Sequence, residues 1–228
     1  MFKTILTKLY NLFLDIYSPK FCLFCLRWQE SYFCEDCLKK IGFKTSISCF
    51  RCDKRISFED KCQNNHSSLI RELISFGLYE ESKLKEKIIL AKNEGYREVF
   101  FDLGIKVGER IKNLNLNDYV LTYVPLHRKK YFQRGFNQAE VLALGIKKVL
   151  GLEIFSYIEK IKETKDQSEL SLEERKNNLK DAFRVTKKPP EKLILVDDIK
   201  TSGITLTEVA KELKRSGAKE IIALTILR

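Results

Sequence analysis

The sequence predicts an α/β fold, a mainly parallel sheet flanked by helices, with a small N-terminal metal module and a docking helix ahead of it. Three observations carry that prediction. From residue 119 onward, apolar strands alternate with helical patterns, the order that builds a parallel sheet. Within that stretch Leu193–Val196 is apolar without interruption, as expected of a strand covered on both faces. All seven cysteines lie between Cys22 and Cys62, so a different kind of structure is expected there. The 228 residues then divide into an N-terminal helix and cysteine-rich module over 1–70 and a main domain over 71–228.

Residues 2–17 set Phe2, Ile5, Leu6, Leu9, Phe13 and Ile16 at helical spacing. Lys3, Lys8 and Asp15 interrupt the run, which is too short and too charged to span a bilayer. Docking of that apolar face against the rest of the chain is the first reading, and peripheral membrane contact the second. With no convincing secretory signal and no integral membrane segment, the chain reads as cytoplasmic. Little regular structure is expected in the cysteine module. Residues 74–79 pattern as a strand, then 83–92 and 97–113 as helices. Tyr119–Val124 is a β-branched and aromatic strand stopped by Pro125. Residues 136–149 return to helical spacing, and 160–180 form a polar, exposed arm. Residues 205–216 read as a helix ended by Gly217, and 221–226 as a last strand.

The cysteines fall in pairs. Cys22-x2-Cys25 and Cys34-x2-Cys37 each bring two thiolates together, so two such knuckles close a tetrahedron around one zinc ion. Cys49-x2-Cys52, Cys62 and His66 offer a second set. One shared zinc and two separate ions both satisfy the spacing. A closed four-ligand site leaves no position for water, which makes the zinc structural. Net charge is +11, which favours anionic partners, although a solvated Lys/Glu surface accounts for most of the lysines. Two zinc ions and seven thiolates would bring the total to about +8.

Residues 193–205 place two carboxylates, Asp197 and Asp198, at the end of the apolar strand, where ligands bind in open α/β sheets. Thr201, Ser202, Gly203, Ile204 and Thr205 then lead into a helix. Backbone N–H groups and hydroxyls at such a helix start cradle a phosphate, and glycine lets the backbone come close. The carboxylates would repel phosphate. They suit sugar hydroxyls, with Mg²⁺ offsetting the excess charge. The string resembles the phosphoribosyl-pyrophosphate (PRPP) motif of the type I phosphoribosyltransferases.

A second segment narrows the resemblance. Val124-Pro125-Leu126, Arg128-Lys129-Lys130 and Arg134-Gly135-Phe136-Asn137-Gln138 resemble the competence-protein ComF/GntX family. Gln167, Leu170, Arg175, Asn178 and Phe183 sit where that family has its middle arm. The resemblance runs from about residue 20 to the end of the chain. It implies an N-terminal zinc finger on a phosphoribosyltransferase-like domain. It also implies handling of single-stranded DNA in natural transformation, with a DNA-import helicase and other competence proteins as partners. One departure is that the last cysteine pair stands here as Cys62 and His66.

Read without the family, Arg128, Lys129, Lys130 and Arg134 carry four positive charges among Tyr131, Phe132 and Phe136. Such a segment suits either a pyrophosphate group or single-stranded nucleic acid, through phosphate contacts and stacking. Phe136, at a helix start, fits the core better than a stacking platform. His127 reads as a loop residue with no catalytic part. Two functions follow: a single-stranded-DNA-handling protein on a PRPP-binding scaffold, or an active phosphoribosyltransferase. No residue set marks an acceptor site, so no catalytic residue is assigned.

Overall fold

The protein, seen as a computed structural model, is described over residues 20–64, 68–80, 82–164 and 172–228. The helical pattern at 2–17, the ligand candidate His66, and Gln167 and Leu170 of the arm lie outside the described residues. The chain forms two compact units, one ending at Gly42 and the other running from Phe43 to Arg228.

In the first unit the Cys22–Cys25 knuckle is a turn closed by Leu26 N–H donating to Cys22 O at 2.9 Å. Helix α1 (Glu35–Lys40) starts directly after Cys34. Its acidic first turn and basic last turn match the helix dipole, which helps a six-residue helix form. Because the second knuckle is the start of this helix, Cys34 and Cys37 share one turn. The short helix is regular structure that spacing alone did not suggest.

The second unit is built on a five-stranded sheet. In chain order its elements are β1 (Ser46–Cys49), β2 (Glu72–Ser75), α2 (Leu84–Asn93), α3 (Arg97–Ile111), β3 (Val120–Tyr123), α4 (Arg128–Arg134), α5 (Gln138–Leu150), β4 (Ile158–Lys160), α6 (Leu172–Leu179), β5 (Phe183–Val185), β6 (Lys192–Ile199), α7 (Ile204–Arg215) and β7 (Glu220–Leu227). The strand order is β1-β2-β7-β6-β3, with β4 and β5 as a separate antiparallel pair. Only β1 runs antiparallel in the main sheet, and the pairings β2–β7, β7–β6 and β6–β3 are parallel. The α/β prediction is met.

Leu193–Val196 of β6 and Ile221–Leu224 of β7 are buried throughout, which explains their unbroken apolar runs. Each Leu, Ile or Val side chain among them withdrawn from water is worth about 1.5–3 kcal/mol. Helices α3 and α5 cross at Gly104 and Gly145. A Cβ on either would run into backbone of the other helix, so only glycine allows this approach.

Three details differ from the pattern. The strand expected at 74–79 is centred earlier, at Glu72–Ser75. Even so, Phe76 N–H donates to Ile226 O at 3.0 Å and Tyr79 N–H to Arg228 O at 2.7 Å, so the pattern followed real pairing. β1, which ends in Cys49, is part of the sheet. Finally, β6 runs on to Ile199 because β7 continues to pair with it, Asp197 opposite Thr225 and Ile199 opposite Leu227. The two carboxylates therefore belong to the strand and inherit its rigidity.

Candidate functional site

A cleft of about 470 Å³ opens at the carboxyl ends of β3 and β6. Asp197, Asp198 and Thr205 line it on one side, Lys129 and Lys130 of α4 on another. Five residues singled out by sequence thus meet in one place. Lys92 of α2, Gln138 of α5 and Lys160 of β4 also line the cleft, and sequence reasoning missed them as site residues. Lys92 and Lys160 carry no recognisable spacing, since each reaches the cleft from its own element, whereas Gln138 stood in the 134–138 string without its place in the cleft being legible.

Lys92 has the greatest electrostatic effect. Its ammonium forms an ion pair with the Asp198 carboxylate, which is 4% exposed. Burial pushes the Asp198 carboxyl up, but Lys92 outweighs that and holds it below the ordinary carboxylate value. Asp197 has no ion pair of its own among the described residues. Burial, followed by the negative charge of Asp198, raises it well above the ordinary value. Its Oδ1 accepts from Asp198 N–H at 2.9 Å. The floor thus pairs one settled anion with one carboxyl that lacks a cation, the environment a ligand hydroxyl or metal would relieve.

The loop from Lys200 to Gly203 enters α7 through Gly203, whose φ is 72°. No side chain caps this helix start and its first turn holds no acid, so its amides suit an anion. Thr201 and Ser202 are exposed, while Ile204 turns its side chain into the core. Only the backbone amide of Ile204 is suited to phosphate.

α4 begins after His127 and stops at Gly135, where φ is 82°. It buries no residue. Phe132 is 77% exposed and Tyr131 43%, their rings 6.4 Å apart at 87°. Lys129 reaches Glu163 at 2.6 Å, and that ammonium lowers the Glu163 carboxyl. Arg134 donates to Gln138 Oε1 at 2.6 Å, and Arg128 lines an adjoining cavity with His127 and Lys160. Phe136 is buried 5.7 Å from the Phe100 ring, as expected of a core residue. Asn137 caps α5, accepting from Ala139 N–H at 3.0 Å and donating to Val124 O at 3.0 Å. That pair of bonds ties the start of α5 to the residue that follows β3.

The cysteines gather as two clusters, Cys22, Cys25, Cys34 and Cys37 in the first unit and Cys49, Cys52 and Cys62 in the second. Within each, all sulfur atoms lie within 4.8 Å of one another. Cys25 and Cys34 are 3.9 Å apart, Cys52 and Cys62 3.6 Å. Thiolates at tetrahedral angles around an ion about 2.3 Å away stand about 3.8 Å from each other, so both clusters fit a metal. Hydrogen bonds from the Arg27 backbone, then its side chain, lower Cys25 to about 6. Burial and the neighbouring sulfurs push Cys37 up to about 12. A metal ion among these sulfurs would favour ionisation of all four.

The phosphoribosyl transferase domain family matches residues 135–228. Competence protein F of Haemophilus influenzae is 34% identical over 124 residues, 52% of this chain and 54% of that protein. Competence protein ComFC of Streptococcus pneumoniae is 26% identical over 90% of this chain and 92% of its own length. The DNA utilization protein YhgH of Salmonella typhimurium is 36% identical over 51% of this chain and 52% of that protein. The matches to the Haemophilus and Salmonella proteins thus span about half of those relatives' length. A hypoxanthine phosphoribosyltransferase of Staphylococcus aureus aligns at 11% identity and a TM-score of 0.35, over 57% of this chain and 62% of that one. Among the described residues no helix is long and apolar enough to cross a membrane. A phosphoribosyl transferase domain match behind a cysteine-rich module, with relatives named as competence and DNA utilization proteins, bears out the resemblance to the ComF/GntX competence proteins.

Proposed function

We propose that the protein handles single-stranded DNA during natural transformation, on a scaffold whose cleft takes PRPP. The observation that carries the DNA reading is α4. A helix with no buried residue, displaying Tyr131 and Phe132 among four cations, gains nothing from the core and suits stacking plus phosphate contact. The names of the relatives, competence proteins and DNA utilization proteins, point the same way. In a cell the protein would then work in the cytoplasm, beside a DNA-import helicase and other competence proteins.

The PRPP reading rests on the cleft floor. The 5′-phosphate would take the amides of Thr201–Thr205, and Asp197 and Asp198 the ribose hydroxyls. Mg²⁺ at Asp197 would supply the cation that this carboxyl lacks. Zinc on the two cysteine clusters would supply folding free energy to segments with little core of their own. Lys129 and Lys130 line the cleft and also belong to α4, so PRPP and DNA would meet at one rim.

The test is a titration of labelled oligonucleotide with zinc-loaded protein, with and without Mg²⁺-PRPP. Sequence-tolerant binding that PRPP weakens supports the combined reading. Binding of PRPP alone, with turnover when bases or amines are supplied, would favour an active phosphoribosyltransferase instead.

A further inference from the structure

The second cysteine cluster is built into the support of the phosphate loop. After Cys49 the chain makes a tight turn, in which Asp53 N–H donates to Cys49 O at 2.9 Å and Cys49 N–H to Lys54 O at 2.8 Å. The turn holds Asp53 at a φ of 56°, a left-handed conformation that Asp adopts more readily than most non-glycine residues. Two side chains of this knuckle reach the loop. A Cβ on Gly203 would stand 3.1 Å from Cζ of the Phe50 ring, so the glycine rests directly on that ring. Lys200 Nζ lies 3.1 and 3.2 Å from the two oxygens of Asp53 and 5.5 Å from the centre of the Phe50 ring. Lys200 is buried, so this ion pair is sheltered on the lysine side. Arg228 adds a second cation 3.5 Å from Asp53.

On its other side the knuckle meets Cys62. Cys62 belongs to a stretch, 56–64, that contains neither helix nor strand. The Cys52 turn is held by its own backbone hydrogen bonds, whereas Cys62 lies on irregular chain, its sulfur 3.6 Å from that of Cys52. An ion bound by Cys49, Cys52 and Cys62 would fix both ends of the turn that carries Phe50 and Asp53.

We propose that this cluster is a control site for the phosphate loop: its metal holds Phe50 and Asp53 against Gly203 and Lys200, so metal and phosphate ligand strengthen each other's binding. The proposal rests on the phosphate reading above. Coupling of this kind is reciprocal, so a ligand on the loop must retain the metal by the factor by which the metal retains the ligand. Asp53 is on this account a positioning residue. It touches neither the metal nor the ligand.

The experiment follows release of zinc from the full chain into a chromogenic chelator, with and without saturating Mg²⁺-PRPP. One release phase should slow by about tenfold with PRPP, a typical coupling between linked sites. In Asp53→Asn the zinc content should stay the same while that protection falls to less than about twofold. Phe50→Ala should do likewise, which guards against a defect peculiar to one variant. Release indifferent to PRPP in protein that binds it, or full protection in both variants, overturns the proposal. If calorimetry shows that the wild type does not bind PRPP, the phosphate reading fails by itself. Deuterium exchange of the 200–207 amides then decides the coupling alone. Faster exchange on zinc removal supports it, and unchanged exchange overturns it.

Discussion

The floor and the rim of the cleft are made in opposite ways. The floor is strand β6, buried on both faces, with Asp198 paired to Lys92 and Asp197 held beside it. The rim is α4, which buries nothing and exposes its aromatic pair. Core packing thus fixes the carboxylates before any ligand arrives, and little ordering entropy remains to be lost there on binding. Long cationic side chains on a short exposed helix can instead follow whatever polyanion lies across them. On the proposed function, a small phosphosugar would take the floor and a flexible strand the rim. Changes in the floor should alter both stability and ligand affinity, whereas changes in the rim should alter affinity alone.

The largest effect is expected from Gly203→Val. A branched side chain at a φ of 72° is strained, and its Cβ would meet Phe50 at 3.1 Å and Lys200 at 3.3 Å. Mg²⁺-PRPP binding should become undetectable by calorimetry. Retained affinity would show that the loop is not where phosphate sits.

Lys92→Met comes next. It leaves Asp198 buried without its cation, at a cost of about 3 kcal/mol. In a chain of this size that lowers Tm by roughly 9 °C, read by calorimetric melting. An unchanged Tm would mean the floor is not set by this pair.

Asp197→Asn should do the reverse to stability. The carboxyl of Asp197 is raised in the folded protein by burial and by Asp198. The stability it contributes is complete below its unfolded value, about 3.9, and is lost as pH rises through the folded value. Asparagine resembles the protonated form, so at neutral pH the variant should melt at a higher temperature than the wild type. That gain should shrink towards zero at acid pH, while PRPP affinity falls at neutral pH. A variant no more stable than the wild type at pH 7 would refute the stored charge repulsion.

The smallest change in stability is expected at the rim. Replacing Arg128, Lys129, Lys130 and Arg134 with glutamine should move folding free energy by less than about 0.5 kcal/mol per site. Single-stranded DNA binding should weaken, and its log-affinity against log-salt slope should flatten by about 0.7 for each phosphate no longer neutralised. A slope identical to that of the wild type would take α4 out of the DNA reading.

Much of this was legible in the sequence because it depends on local periodicity. Leu193–Val196 announces a doubly covered strand, and Thr201–Thr205 a loop that opens a helix. The cysteine pairs announce sulfur clusters whatever the fold around them. Asn137 and Gln138 stood in a recognisable string, though not their separate tasks as cap and cleft lining. What the sequence could not convey is which distant elements meet. Lys92 lies more than a hundred residues before Asp198, and Asp53 almost one hundred and fifty before Lys200. Neither pair leaves a spacing to read. Composition and pattern determined most strands and helices, the cysteine knuckles and the loop that opens α7, since those follow from neighbours along the chain. Only the tertiary structure decided that a lysine pairs with one carboxylate and not the other, and that a cysteine knuckle packs against the loop before α7. Burial and charge pairing depend on distance in space, and the folded sheet is what sets those distances.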